Sequence, residues 1–185
     1  MDKTTVPIIV ASITAAVTIV GWNISYLFAK RREDRTRRIE SSIKQLDRQF
    51  EEFYGPLHSL IEQIFNVWRV RRTLTECIPQ DKRDAVEIFV WKEYFLPLHS
   101  DIRELLKTKL YLAESGKIPE SFRDYLEHSM QELFQKRLAN ELDVVIKDAK
   151  WKRWPQAFEK DVENAIDSIM KKRESLLRDL EPSTK

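Results

Sequence analysis

Between Lys3 and Lys30 the chain carries no charged residue, a run of 26 uncharged positions. Its apolar part is Pro7 to Phe28, PIIVASITAAVTIVGWNISYLF. A helix rises about 1.5 Å per residue and needs roughly 20 apolar residues to cross a bilayer core of about 30 Å. The run is long enough, and soluble core helices are rarely so free of charge. A cleaved signal peptide would have a shorter apolar region with its basic cluster ahead of it, whereas here the cluster follows. The expectation is one transmembrane helix over residues 1–29 (tail included), with the rest of the chain hung from it.

Charge sets the orientation. Before the run stands only Lys3, offset by Asp2; after it come Lys30, Arg31, Arg32, Arg35, Arg37 and Arg38. Basic residues stay on the cytoplasmic side, so the N-terminus is expected outside and the body inside. Trp22 and Tyr26 fall near the inner end, where amphipathic rings favour the interface. The single cysteine, Cys77, has no partner for an internal disulfide, which suits a reducing compartment.

Within the run, Ala11, Thr14, Thr18, Gly21 and Ser25 recur at spacings of three and four and share one helical face. Small residues let helix backbones approach closely in lipid, where no hydrophobic drive pushes helices together. Two readings stand open. The helix is a lone anchor with scattered hydroxyls bonded to their own backbone, or it self-associates through this stripe. Several copies around an axis could then line a narrow pore. Asn23, the only amide in the run, could add an interhelical hydrogen bond.

Only 3 glycines and 34% charged residues mark the chain as all-α. The net charge is +2, residues 30–50 carry +4, and Asp2 cancels Lys3, so residues 51–185 carry −2. A slightly acidic body argues against a broad nucleic-acid footprint. No Pro or Gly interrupts residues 22–54, and Ile39, Ile43, Leu46, Phe50 and Phe53 form a seam spaced four and three apart. The membrane helix is therefore expected to run on through residues 30–54, as a basic flank and cytosolic extension, up to Gly55-Pro56. The seam packs on the body or continues the self-association.

Residues 55–181 should form a helical domain of about five helices. Two segments in it echo each other: Phe53-Tyr54-Gly55-Pro56-Leu57-His58-Ser59 and Tyr94-Phe95-Leu96-Pro97-Leu98-His99-Ser100. Proline disfavours helix for the residue before it and suits the first turn of a new helix, so each echo reads as a kink or restart. Leu57, Leu60, Ile61, Ile64, Phe65 and Trp68 make one amphipathic face. Asp81 is the expected cap of a helix whose apolar positions are Ala85, Ile88, Phe89, Trp91 and Tyr94 and which ends near Leu96. Further helices are expected over 102–112, from 120 towards 149, and, after a break at 150–155, through Phe158, Val162, Ile166, Ile169, Leu176 and Leu180. Trp151 and Trp154, at the break between the last two, either close the core at a bend or touch headgroups or nucleic acid.

There is no Walker loop, CxxC, HExxH or Gly-rich phosphate cradle, so no cofactor is implied. One Cys and three His do not make a structural zinc site, and no metal is expected. One signature stands out: Arg123-Asp124-Tyr125-Leu126-Glu127-His128 resembles the Arg-x4–6-His motif of HEPN-type helical ribonucleases. That resemblance implies catalytic roles, with His128 in acid–base work and Arg123 steadying the scissile phosphate across two chains. The other reading puts His128 between helices and Arg123 on a solvated face.

The layout as a whole also resembles a group of small bacterial single-pass membrane proteins. Phe53–Leu57, Phe-Tyr-Gly-Pro-Leu, and Trp91–Leu98 carry that likeness. Size, N-terminal span and the Arg123/His128 pair are similar to the membrane accessory protein of type VI-B CRISPR systems. The resemblance implies a homo-oligomer in the bacterial inner membrane that strengthens antiphage defence by disturbing the bilayer, partnered by a cytosolic defence protein. A membrane-tethered scaffold and a divergent HEPN-type ribonuclease are the alternatives.

Overall fold

The computed structural model describes residues 5–113, 118–142, 144 and 153–180; the side chains of 5–17, 19, 132, 136, 139 and 140 lie outside that description. Among the described residues every regular element is helical: α1 (Thr5–Gln49), α2 (Gly55–Cys77), α3 (Arg83–Val90), α4 (Leu96–Lys109), α5 (Glu120–Leu142) and α6 (Gln156–Leu180). The chain is thus all-α. Short 3-10 turns at Gln80–Lys82 and Leu110–Leu112 flank α3 and α4.

Each sequence echo begins with the last two residues of a π-helical turn, Phe50–Tyr54 or Trp91–Phe95. The Gly55 N–H reaches back to the carbonyl of Phe50, and that of Leu96 to Trp91, five residues instead of four. Pro56 and Pro97, which have no N–H, follow at once in the first turn of α2 and α4. The widened turn carries the helix past the proline. Gly55 (φ −63, ψ −53) and Leu96 (φ −60, ψ −46) stay helical, so the local bias of a pre-proline residue is overridden. The expected end of the third helix near Leu96 is therefore a continuation: α3 passes through the π turn into α4. Asp81 does not cap α3; it lies in the 3-10 turn, and no side chain caps that turn or the helix.

The chain divides into two compact units, Met1–Lys44 with Ser175–Lys185, and Gln45–Glu174. In the first unit, α1 exposes its apolar side chains, Trp22 at 81% and Phe28 at 66% among them. Thr18, Gly21 and Ser25 are exposed, as are Lys30, Arg31, Arg32, Arg35, Arg37 and Arg38, while Arg37 pairs with Glu33 one turn back. The side chains of Ala11 and Thr14, and with them most of the expected span, lie outside the description. Among the described residues no helix is long and apolar enough to cross a membrane.

The second unit is the helical body. It begins at Gln45, ahead of the expected boundary at residue 54, because the end of α1 is built into its core. Leu46 and Phe50 pack against that core and Phe53 is fully buried in it. Gln49, also buried, donates through Nε2 to the Leu112 carbonyl at 2.9 Å. Arg173 of α6 donates to Asp47 at 2.7 Å, and Lys109 to Glu52 at 2.8 Å. Leu57, Ile61 and Ile64 of α2 meet Ile102 and Leu106 of α4, Phe122 and Tyr125 of α5, and Phe158, Val162 and Ile169 of α6 in one cluster. Each such side chain contributes about 1.5–3 kcal/mol on full burial.

The face of α3 differs from the sequence expectation. Ile88, Phe89 and Tyr94 are exposed, while Val90 and Phe95 are buried and Val86 packs beside them. Trp68, expected on the buried face of α2, is also largely exposed.

Candidate functional site

The second π turn builds one wall of a site. Trp91 and Phe95 stack at its two ends, centroids 6.0 Å apart, and Trp91 also approaches His99 at 6.1 Å. One helical turn after Phe95, His99 of α4 is buried. Its Nδ1 lies 2.9 Å from the Tyr125 hydroxyl of α5. Tyr125 and His128, three residues apart, share a face of α5. His128 is thereby brought beside His99, ring centroids 5.9 Å apart.

Trp154 closes the cluster from the turn before α6. Pro155 follows it and ends the non-helical stretch, so the indole is presented inward as α6 begins. Its ring lies 6.2 Å from His99, 6.0 Å from His128, 5.5 Å from Tyr125 and 5.4 Å from Phe65. The Trp154 Nε1 is a buried donor without a partner among the described residues, and so is Nη1 of Arg103. Buried orphan donors are rare enough to call for an explanation.

Beside these rings lies a cavity of about 880 Å³. Phe65 and Trp68 from α2, Trp91 and Phe95 from the π turn, both imidazoles and Trp154 line it, with Arg71, Glu87 and Arg153 supplying charge. Arg71 is committed to Glu87 through two bonds, 3.0 and 2.5 Å, and its guanidinium lies 5.7 Å over the Trp68 ring. That pair is close to neutral. Arg153 is exposed, and among the described residues neither it nor Arg103 has a carboxylate partner.

Burial holds the His99 imidazole far below its ordinary range, at about 3, with the charges of His128 and Arg103 pushing the same way. His99 is therefore neutral at physiological pH, and its bond with Tyr125 has one ring nitrogen donating or accepting according to tautomer. The site presents a neutral, hydrogen-bonded imidazole, a second imidazole, several ring faces and a surplus of positive charge.

The residues singled out from sequence separate here. His128 lines the cavity; Arg123, on the same helix, is exposed and outside it. Five residues turn a helix by about 500°, so the two cannot share a face. The stripe residues Thr18, Gly21 and Ser25 belong to the other unit. His58, the counterpart of His99 in the first echo, is half-buried near Glu159, whose carboxyl is pushed up chiefly by burial. Among the described residues no group of three or more His, Cys, Asp or Glu side chains could hold a metal ion. What the sequence did not signal is the meeting of His99, Tyr125, His128 and Trp154; the only hint was that two of the chain's 3 histidines follow aromatic pairs in the echoes.

No family model, curated protein or solved structure matches the chain.

Proposed function

We propose that the chain is a single-span inner-membrane protein whose all-α body works at the cytoplasmic face as a membrane effector. The observation that carries this reading is the 26-residue uncharged run followed at once by Lys30, Arg31 and Arg32. The exposure of Trp22, Tyr26, Leu27 and Phe28 on α1 supports it, because apolar rings and chains bare on all sides of a helix call for a lipid or helix partner. Resemblance of layout to the membrane accessory protein of type VI-B CRISPR systems extends the proposal to a homo-oligomer in antiphage defence, acting on the bilayer through the Ala11, Thr14, Thr18, Gly21 and Ser25 stripe. The ribonuclease alternative has less support, since Arg123 lies outside the cavity that His128 lines.

The test has two arms. A C-terminal reporter active only in the periplasm should be silent, and membrane fractions should hold the protein after alkaline washing. Strong periplasmic activity overturns the orientation; release by the wash overturns the span. Thr14→Leu with Gly21→Leu should lower the oligomer mass in detergent and the ion leak caused by overexpression, since bulk at the stripe forces helices apart. Unchanged mass and leak overturn the assembly role.

A further inference from the structure

We propose that the cavity between α2, the second π turn, α4, α5 and the Trp154 turn is a binding site for a small planar aromatic anion of the mononucleotide class. This goes beyond the membrane reading and does not depend on it. A volume of about 880 Å³ lies within the range of ligand pockets, which runs to roughly 1,000 Å³. Its lining is what such a ligand needs. Phe65, Trp68 and Trp91 offer ring faces, and a base stacks on any of them without regard to its identity. Arg71 is already held over Trp68 by its bonds to Glu87, which fixes that wall before a ligand arrives.

The charge is equally selective. With Arg71 and Glu87 paired, Arg153 is the cation left at the lining among the described residues, and Arg103 stands close enough to His99 for its charge to be felt there. A guanidinium matches phosphate geometry through two parallel bonds. A phosphate paired with the exposed Arg153 would leave its base to stack in the aromatic half. Among the described residues the one lining carboxylate, Glu87, is already paired with Arg71.

The full-length protein in detergent is titrated with AMP and with UMP, following tryptophan fluorescence and the thermal midpoint. Adenosine and inorganic phosphate serve as half-ligands. Saturable quenching with a raised midpoint is expected for AMP or UMP, with each half-ligand weaker by about tenfold or more, because stacking and phosphate contacts each contribute. Arg153→Ala and Trp68→Ala should each weaken binding by about tenfold while leaving the ligand-free midpoint unchanged, since both side chains are exposed. Arg123→Ala, outside the cavity, should bind as wild type does. Absence of saturable binding by either nucleotide overturns the proposal. So does inorganic phosphate binding as tightly as AMP, or unaltered binding by Arg153→Ala, or a single-stranded RNA oligomer that binds when neither mononucleotide does.

Discussion

His99 and Tyr125, 26 positions apart, are joined both by a hydrogen bond of 2.9 Å and by ring stacking at 5.8 Å and 21°. Both side chains are buried, where a lost hydrogen bond is costly. Tyr125→Phe keeps the ring and removes the hydroxyl. It should destabilise the body by about 1 kcal/mol, the net worth of a buried hydrogen bond. Tyr94→Phe, at an exposed ring, is the control and should do little. Urea unfolding of the three proteins side by side measures the difference.

The same pair makes stability depend on pH. The folded pKa of His99 is depressed to about 3 from 6.5, by burial first and by His128 and Arg103 next. The unfolded chain therefore binds the proton first. Stability from neutral His99 is whole above pH 6.5 and falls as the pH drops from 6.5 towards 3. The slope is at most about 1.4 kcal/mol per pH unit. Unfolding free energies at pH 7 and pH 5 should differ in the wild type, and His99→Phe should flatten that difference. A wild-type stability unchanged over this window would show that His99 takes up its proton in the folded body. Glu52, held at about 2 by its bonds to Arg48 and Lys109, acts at lower pH and does not confuse the comparison.

Much of the body was legible in the sequence. Scarce glycine and abundant charge gave the all-α class, and Leu57, Ile61 and Ile64 are buried as their spacing required. The face of α3 was not legible, and the π turn is the reason. The buried positions run Val90, Phe95, His99, Ile102 and Leu106, with a step of five between Val90 and Phe95. A constant 3.6-residue period cannot follow that step, and it points to the larger Ile88 and Phe89 instead. The cavity was hidden for a different reason. Its walls come from α2, the π turn, α4, α5 and the turn before α6, and no local pattern announces that Trp154 will reach His99 and His128.

The first π turn makes Gly55 necessary. A Cβ at that position would sit 2.9 Å from the carbonyl oxygen of Phe50, a backbone atom that cannot move aside cheaply. Alanine is otherwise favoured over glycine in a helix by about 1 kcal/mol. The clash should exceed that gain, so Gly55→Ala is expected to destabilise by about 1–3 kcal/mol, as overpacking does. Gly21→Ala meets open space and should not destabilise α1. Thermal midpoints of the two variants should move apart; a stabilised Gly55→Ala would mean that the π turn relaxes to accept the methyl group.

Arg123 and His128 offer the sharpest separation of a packing role from a catalytic one. His128 is buried, with His99 and Trp154 in ring contact, whereas Arg123 is exposed. If the pair serves packing alone, the two substitutions must differ. His128→Ala should cost about 2 kcal/mol or more, as truncation of buried side chains does. Arg123→Ala should stay within about 0.5 kcal/mol of wild type, as surface changes do. A catalytic pair would behave otherwise: both variants would lose RNA cleavage together, and Arg123→Ala would do so at full stability. Purified wild type is expected to leave single-stranded RNA intact over hours in the presence and absence of divalent cations. Cleavage that disappears in Arg123→Ala while unfolding is unchanged would restore the HEPN-type reading, and would require the Arg123 of a second copy to reach the His128 cavity.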